Sequence, residues 1–133
     1  MQPLPTEIVM LGLGVVLLIV QLFLQAIPAT LEFGGDYRAG PRDESRVLRG
    51  AFAGRADRAF RNLLESFPAF AALALALVVT GRNGGLGALG AEAWVALRVL
   101  YVPLYLIQIP FARSLVWFAS MFALVAMLVR LFQ

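Results

Sequence analysis

Eleven arginines, with no lysine, histidine or cysteine among 133 residues, decide what chemistry this chain can do. In the segment RADRAFRNLLESFPAF, Arg58, Arg61, Asn62 and Glu65 fall at steps i, i+3, i+4 and i+7, so a helix there carries all four on one face. A second segment repeats the pattern with Trp94, Arg98, Tyr101, Tyr105 and Gln108 at steps of three and four. Guanidinium groups hold carboxylates and phosphates in bidentate geometry, and a single carboxylate among them suits a cation. Together these residues form a set for gripping an anionic ligand with one positive group. The absent residue types exclude zinc fingers, structural zinc sites, Cys or Ser-His nucleophiles and disulfide frameworks. No metal is indicated.

The elements that must position these residues are set by composition. The chain is 61% hydrophobic and 14% charged, unlike a soluble domain or a disordered one. A membrane span needs about 20 apolar residues at about 1.5 Å each, and four stretches approach that length. An all-α integral membrane four-helix bundle is therefore expected, as one domain over 1–133, with helices at about 7–28, 53–80, 91–109 and 111–131. The first has no charge between Ile8 and Ile27, and only Gln21 and Gln25 interrupt it. Its flank MQPLPTE lacks the basic region of a secretory signal, so it reads as a retained helix, with Thr6 as N-cap and Glu7 in the first turn.

Residues 29–52 read as a polar cytoplasmic loop carrying Arg38, Arg42, Arg46 and Arg49 with Glu32, Asp36, Asp43 and Glu44. The apolar run Phe67–Thr80 that follows is only 14 residues, about 21 Å, too short to span alone. Its helix must begin earlier, and this carries Arg58, Arg61, Asn62 and Glu65 into or beside the membrane. After it, GRNGGLGALG is a connection; its G-x-G-x-x-G match has no preceding strand and no βαβ unit. Pro110 separates the last two helices, and Arg113 and Arg130 snorkel near the ends of the fourth.

Measured inward from Arg55 and Ile109, Glu65 and Arg98 both lie at about 15 Å, so the two polar faces should meet at one depth. The groups could satisfy one another, Glu65 with Arg98 or Arg61. That leaves a surplus, because Arg58, Arg61, Arg98 and Arg113, with Arg55 at the edge, outnumber the carboxylates facing them. Uncompensated charge in a membrane is costly unless water or an anion neutralises it. Arginines flank the first and third connections far more than the second, which places those connections in the cytoplasm and both termini outside.

RADRAFRNLLESFPAF, followed by RVLYVPLY and by ARS at the start of the fourth helix, resembles the MAPEG family, the membrane-associated proteins in eicosanoid and glutathione metabolism. The signal is R-A-x-x-N-x-x-E-x-x-P joined to R-x-x-Y-x-x-x-Y, within a resemblance covering about residues 8–130. It implies a homotrimer that binds glutathione between subunits towards the cytoplasm, and a glutathione-dependent transferase or peroxidase acting on a lipophilic electrophile from the bilayer. On this resemblance Arg58, Asn62 and Glu65, with Arg61 beside them, hold the glutathione peptide, and Arg98, Tyr101 and Tyr105 complete the site. Arg113, allowing one inserted residue, stands for the arginine that stabilises the thiolate, with Ser114 beside it. The first helix lacks an arginine that some members carry, and position 60 is Phe where some have a polar side chain.

The Lys-free, Ala/Gly-rich composition points to a bacterial inner membrane. Competing readings are a non-catalytic trimer or an accessory subunit of a larger membrane complex, with loop 29–52 as the first contact surface. A small proton-coupled exporter would want a carboxylate within the first helix, where only Glu7 at its edge is available. Nucleic acid is excluded, since a net charge of +3 spread over an apolar chain makes no dense basic patch.

Overall fold

In lipid, every backbone N–H and C=O must be satisfied within its own segment, so long apolar runs have little choice but to be helical. The computed structural model describes residues 3–133 and, among them, contains only helices and their connections. Four are long and apolar enough to cross a membrane: α1 (Thr6–Phe33), α3 (Ala51–Val79), α4 (Leu86–Leu106) and α5 (Pro110–Phe132). A short helix, α2 (Gly35–Ala39), lies in the long connection. The protein is a multi-pass integral membrane protein, and large apolar side chains such as Phe111, Phe122 and Val79 stand exposed on its outer surface, where lipid would cover them.

The helices run up and down, α1 packing along α3 and α4 along α5, so the bundle has two ends. At the loop end lie the 34–50 connection and the 107–109 turn; at the terminus end lie residue 6, the 80–85 turn and residue 132. Between them Phe70 and Trp94 stack with ring centroids 4.0 Å apart and planes within 9°, and Leu63, Leu77, Val95 and Met127 close around the pair. Small residues allow this closeness. A Cβ on Gly90 would stand 2.7 Å from Met127 Cγ and 2.8 Å from the Ala123 carbonyl oxygen, so α4 and α5 touch there through backbone.

Three details differ from the sequence reading. α4 spans Leu86–Leu106 where about 91–109 is expected, because the second half of the glycine-rich connection is already helical and Gln108 closes the other end. The first helix does not stop near residue 28 but carries Pro28 within it and runs to Phe33, ending at Gly34 with φ 86°. A proline inside a span is tolerated where neighbouring groups absorb the lost bond, and Pro68 and Pro103 are likewise interior to α3 and α4. The N-cap of α1 is Pro5 and makes no side-chain bond; Thr6 is the first helical residue. Glu7 stands in the first turn, as expected. It is buried at 0% exposure and accepts the Gly84 N–H at 2.6 Å, fastening α1 to the 80–85 turn.

At the loop end Glu32 does similar work. Its carboxylate accepts the N–H groups of Arg49 and Gly50, the residues just before α3, so the last turn of α1 caps the free donors at the start of α3.

Candidate functional site

α3 and α4 are antiparallel and their register is fixed by two contacts. Arg55 Nη1 donates to the Leu106 carbonyl at 2.8 Å, closing the end of α4. About two turns deeper, the Arg98 guanidinium donates through Nη1 to Asn62 Oδ1 and through Nη2 to Ser66 Oγ, both at 2.6 Å. The expected common depth is therefore present, but the partner differs. Arg98 meets Asn62 and Ser66, which are one turn apart on the packed side of α3, whereas Glu65 is rotated about 100° from Ser66 and faces outward. No ion pair joins Glu65 to Arg98 or to Arg61 among the described residues; Arg61 Nε instead lies 2.9 Å from Asp57 Oδ2.

Above this floor the loop end of the bundle opens into a cleft of about 470 Å³ between α3, α4 and α5. It is lined by Arg58, Arg61, Asn62, Glu65, Tyr101, Tyr105, Arg113 and Ser114, which are the site residues that the resemblance implies apart from Arg98; Trp94 and Gln108, on the same expected face, do not line it. Arg98 does not reach the cleft: at 1% exposure it lies beneath, wedged between α3 and α4, its guanidinium carbon 5.5 Å from both the Trp94 and the Tyr101 ring centroids. Its Nε has no hydrogen-bond partner among the described residues. Accepting from Arg98 through Oδ1 leaves the Asn62 amide NH₂ free to donate elsewhere.

Arg113 arrives by way of a tight turn. α4 ends with the Ile109 N–H on the Leu104 carbonyl and the Gln108 N–H on the Tyr105 carbonyl, a Schellman closure with Gln108 at φ 58°. Gln108 thus leaves the polar face of α4 that its spacing suggested and becomes the turn itself. Only a few residues later Pro110 opens α5, and the Arg113 guanidinium sits 4.7 Å from the Tyr105 ring centroid, a cation–π contact that aims it at the cleft. Ser114 also faces the cleft, while its hydroxyl donates to the Pro110 carbonyl of its own helix at 3.0 Å.

Two lining residues carried no signal in the sequence. Trp117 and Phe118 of α5 form an apolar wall beside Arg113 and Ser114. An aromatic residue in an apolar helix looks like any other lipid-facing side chain until its neighbours are known. Asp57 was also missed; it engages Arg61 and accepts Gln25 Nε2 at 3.2 Å, giving Gln25 an inter-helix role.

The arrangement can therefore hold an anionic, partly polar molecule against Arg58 and Arg113, offer Glu65 to a cation, and place an apolar surface alongside. A membrane bundle of four spans with an arginine-lined cleft at one end is the class of protein that these features define. The family model described as MAPEG family matches residues 10–133, nearly the whole chain. The chain belongs to the MAPEG family. No curated protein and no solved structure gives a significant match to it.

Proposed function

We propose that the protein is a glutathione-dependent membrane transferase or peroxidase, working as a homotrimer whose cleft is completed by the neighbouring copy. The observation that carries this reading is the charge inventory of the cleft. Arg61 is neutralised by Asp57, so Arg58 and Arg113 are left to receive two carboxylates, and Glu65, free of any ion pair among the described residues, to receive an ammonium. Glutathione offers those three charges. The Asn62 amide supplies a donor for a peptide carbonyl.

In this reading Arg113 acts on the sulfur. A guanidinium near a thiol favours loss of its proton, and the thiolate is the nucleophile. The electron pair on sulfur forms the new bond to an electrophilic carbon, while the bond from that carbon to its leaving group, or to an epoxide oxygen, breaks and the departing atom takes the displaced pair. A peroxide substrate would instead be attacked at oxygen, the O–O bond breaking and the thiol being oxidised as the peroxide is reduced. Tyr105 holds Arg113 in position through its ring. Trp117 and Phe118 suit a lipophilic acceptor arriving from the bilayer. The arginine-rich connections at the loop end favour a cytoplasmic location for the cleft, with the termini outside.

The test is the ultraviolet absorbance of thiolate when glutathione is added to the detergent-solubilised protein at neutral pH, with Arg113→Ala in parallel. Thiolate in the parent and none in the variant supports the assignment. Binding without thiolate would make the cleft a binding site in a non-catalytic protein, and no binding at all would overturn the reading.

A further inference from the structure

A second recess adjoins the cleft through Arg58 and Arg61, which line both. It encloses about 440 Å³ between α1, the start of α3, and α2 with the loop after it. Arg38, Arg42, Arg46, Arg58 and Arg61 surround it, against Asp57 as the one carboxylate in its wall. Asp57 is already committed on both oxygens, to Gln25 and to Arg61. Arg46 is paired with Glu44 at 3.5 Å and lies over the Tyr37 ring. Arg42 folds back on the Arg38 carbonyl through Nε and Nη2, at 3.0 and 2.6 Å, which closes the end of α2 but neutralises no charge. No ion pair engages Arg38, Arg42 or Arg58 among the described residues. Three guanidinium groups thus share one hollow without a counterion.

The position of the hollow narrows the counterion. It lies where α1 and α3 leave their apolar spans, and apolar side chains stand in its own wall beside the arginines: Phe33 at the end of α1, and Val47, largely exposed, with Leu48 in the loop. A soluble anion would use only the arginines. A lipid uses both, with its phosphate among the guanidinium groups and its chains along the apolar side chains. Arginine is suited to phosphate oxygens, and basic recesses at the headgroup level between membrane helices are recognised by anionic lipids.

We propose that this recess is a binding site for the phosphate of an anionic phospholipid, gripped chiefly by Arg38 and Arg42 with Arg58 at its inner edge. The site stands independently of the thiol reading of the cleft, although it shares Arg58 and Arg61 with it.

The experiment compares the wild-type protein with Arg38→Gln/Arg42→Gln and with Arg49→Gln. Arg49 lies on the same loop but not in the wall of this recess, so its variant removes the same kind of charge from outside the site. Each protein is reconstituted in phosphatidylcholine nanodiscs with a minor fraction of phosphatidylglycerol, re-extracted gently, and its retained lipid measured by mass spectrometry. Wild type is expected to retain phosphatidylglycerol selectively. With about 1 kcal/mol per basic residue at an anionic surface, the double variant should lose about tenfold or more of that selectivity. Arg49→Gln should keep it. Because Arg42 closes α2, Arg38→Gln alone serves where the double variant does not fold, with an expected loss of about fivefold. Absence of selectivity in the wild type, or an equal loss in Arg49→Gln, overturns the proposal, the latter because bulk surface charge then explains the retention. Displacement of the lipid by millimolar glycerol phosphate also overturns it, since the ligand would then be a soluble phosphate ester.

Discussion

The two ends of the bundle differ in how much of their charge is left unpaired. At the terminus end, Glu7 is fully buried and bonded to the Gly84 N–H, and Arg130 donates through Nε to the Arg82 carbonyl at 3.1 Å. These two charged groups are fastened to backbone and hold chain segments together. At the loop end, Arg58, Glu65 and Arg113 line an open cleft, and no ion pair engages any of them among the described residues. An ion in or near lipid must be neutralised or hydrated, so charge left over after internal pairing marks where a ligand belongs. At the loop end Glu32 and Arg55 also hold backbone, so what distinguishes that end is the further set of charges left available for chemistry.

The comparison is broken most severely through Arg113. Removing a group aimed at developing negative charge costs about 100-fold or more in rate. Arg113→Ala should lower glutathione conjugation of a lipophilic electrophile by at least that factor, while circular dichroism and the size of the purified assembly stay unchanged. Conjugation at the parental rate would sink the assigned mechanism. Gly90→Val tests the scaffold instead. The Cβ of any larger residue meets backbone at the Ala123 carbonyl, so α4 and α5 must part, at a cost of about 2–3 kcal/mol read as a lower unfolding midpoint. An unchanged midpoint would show that the two helices can separate at no cost.

Much of this division could be read before any coordinates. The four spans follow from apolar run length, and the lining residues of α3 follow from their i, i+3, i+4, i+7 steps, because lipid leaves the backbone no alternative to the helix. Rotation about the helix axis was harder. Asn62 and Glu65 share a face by spacing, yet the packing of Trp94 and Phe70 turns Asn62 towards Arg98 and leaves Glu65 outside. Ser66, the second acceptor of Arg98, is a small residue in an apolar run and signals nothing by itself. The five residues of α2 have no apolar period, and Pro28 looks like a stop although α1 passes through it. The burial of Glu7 has no signal in the sequence, where it stands simply at the edge of a span. Only the returning 80–85 turn, 77 positions further along, buries it.

Arg98 lies between the two regimes and sharpens the contrast. It is buried like Glu7 but touches Asn62, which lines the cleft, and so acts as a positioning residue. A buried guanidinium without a counterion is itself costly, so an apolar side chain of similar length recovers much of what the lost bonds to Asn62 and Ser66 give up. Arg98→Met should therefore unfold within about 1 kcal/mol of the parent, yet release the Asn62 amide from its orientation and weaken glutathione binding by about tenfold. Recovery of affinity in Arg98→Lys would support orientation through a hydrogen bond, whereas unchanged affinity in Arg98→Met would make Arg98 purely a packing residue.

The smallest effect is expected at Glu7, and its smallness is the point. Glu7→Gln keeps an oxygen for the Gly84 N–H and keeps the shape of the side chain, so the fastening between α1 and the 80–85 turn survives. Its other oxygen, Oε2, has no hydrogen-bond partner among the described residues, so the substitution gives up no second bond there. The unfolding midpoint should shift by less than about 1 kcal/mol equivalent, and Glu7→Ala, which removes the acceptor, should cost about 1–2 kcal/mol more. Neither should alter glutathione affinity, because the cleft is at the opposite end of the bundle. A change in affinity from Glu7→Gln, measured by calorimetry on the folded protein, would mean that the two ends are coupled and that charge at the terminus end does more than hold the fold.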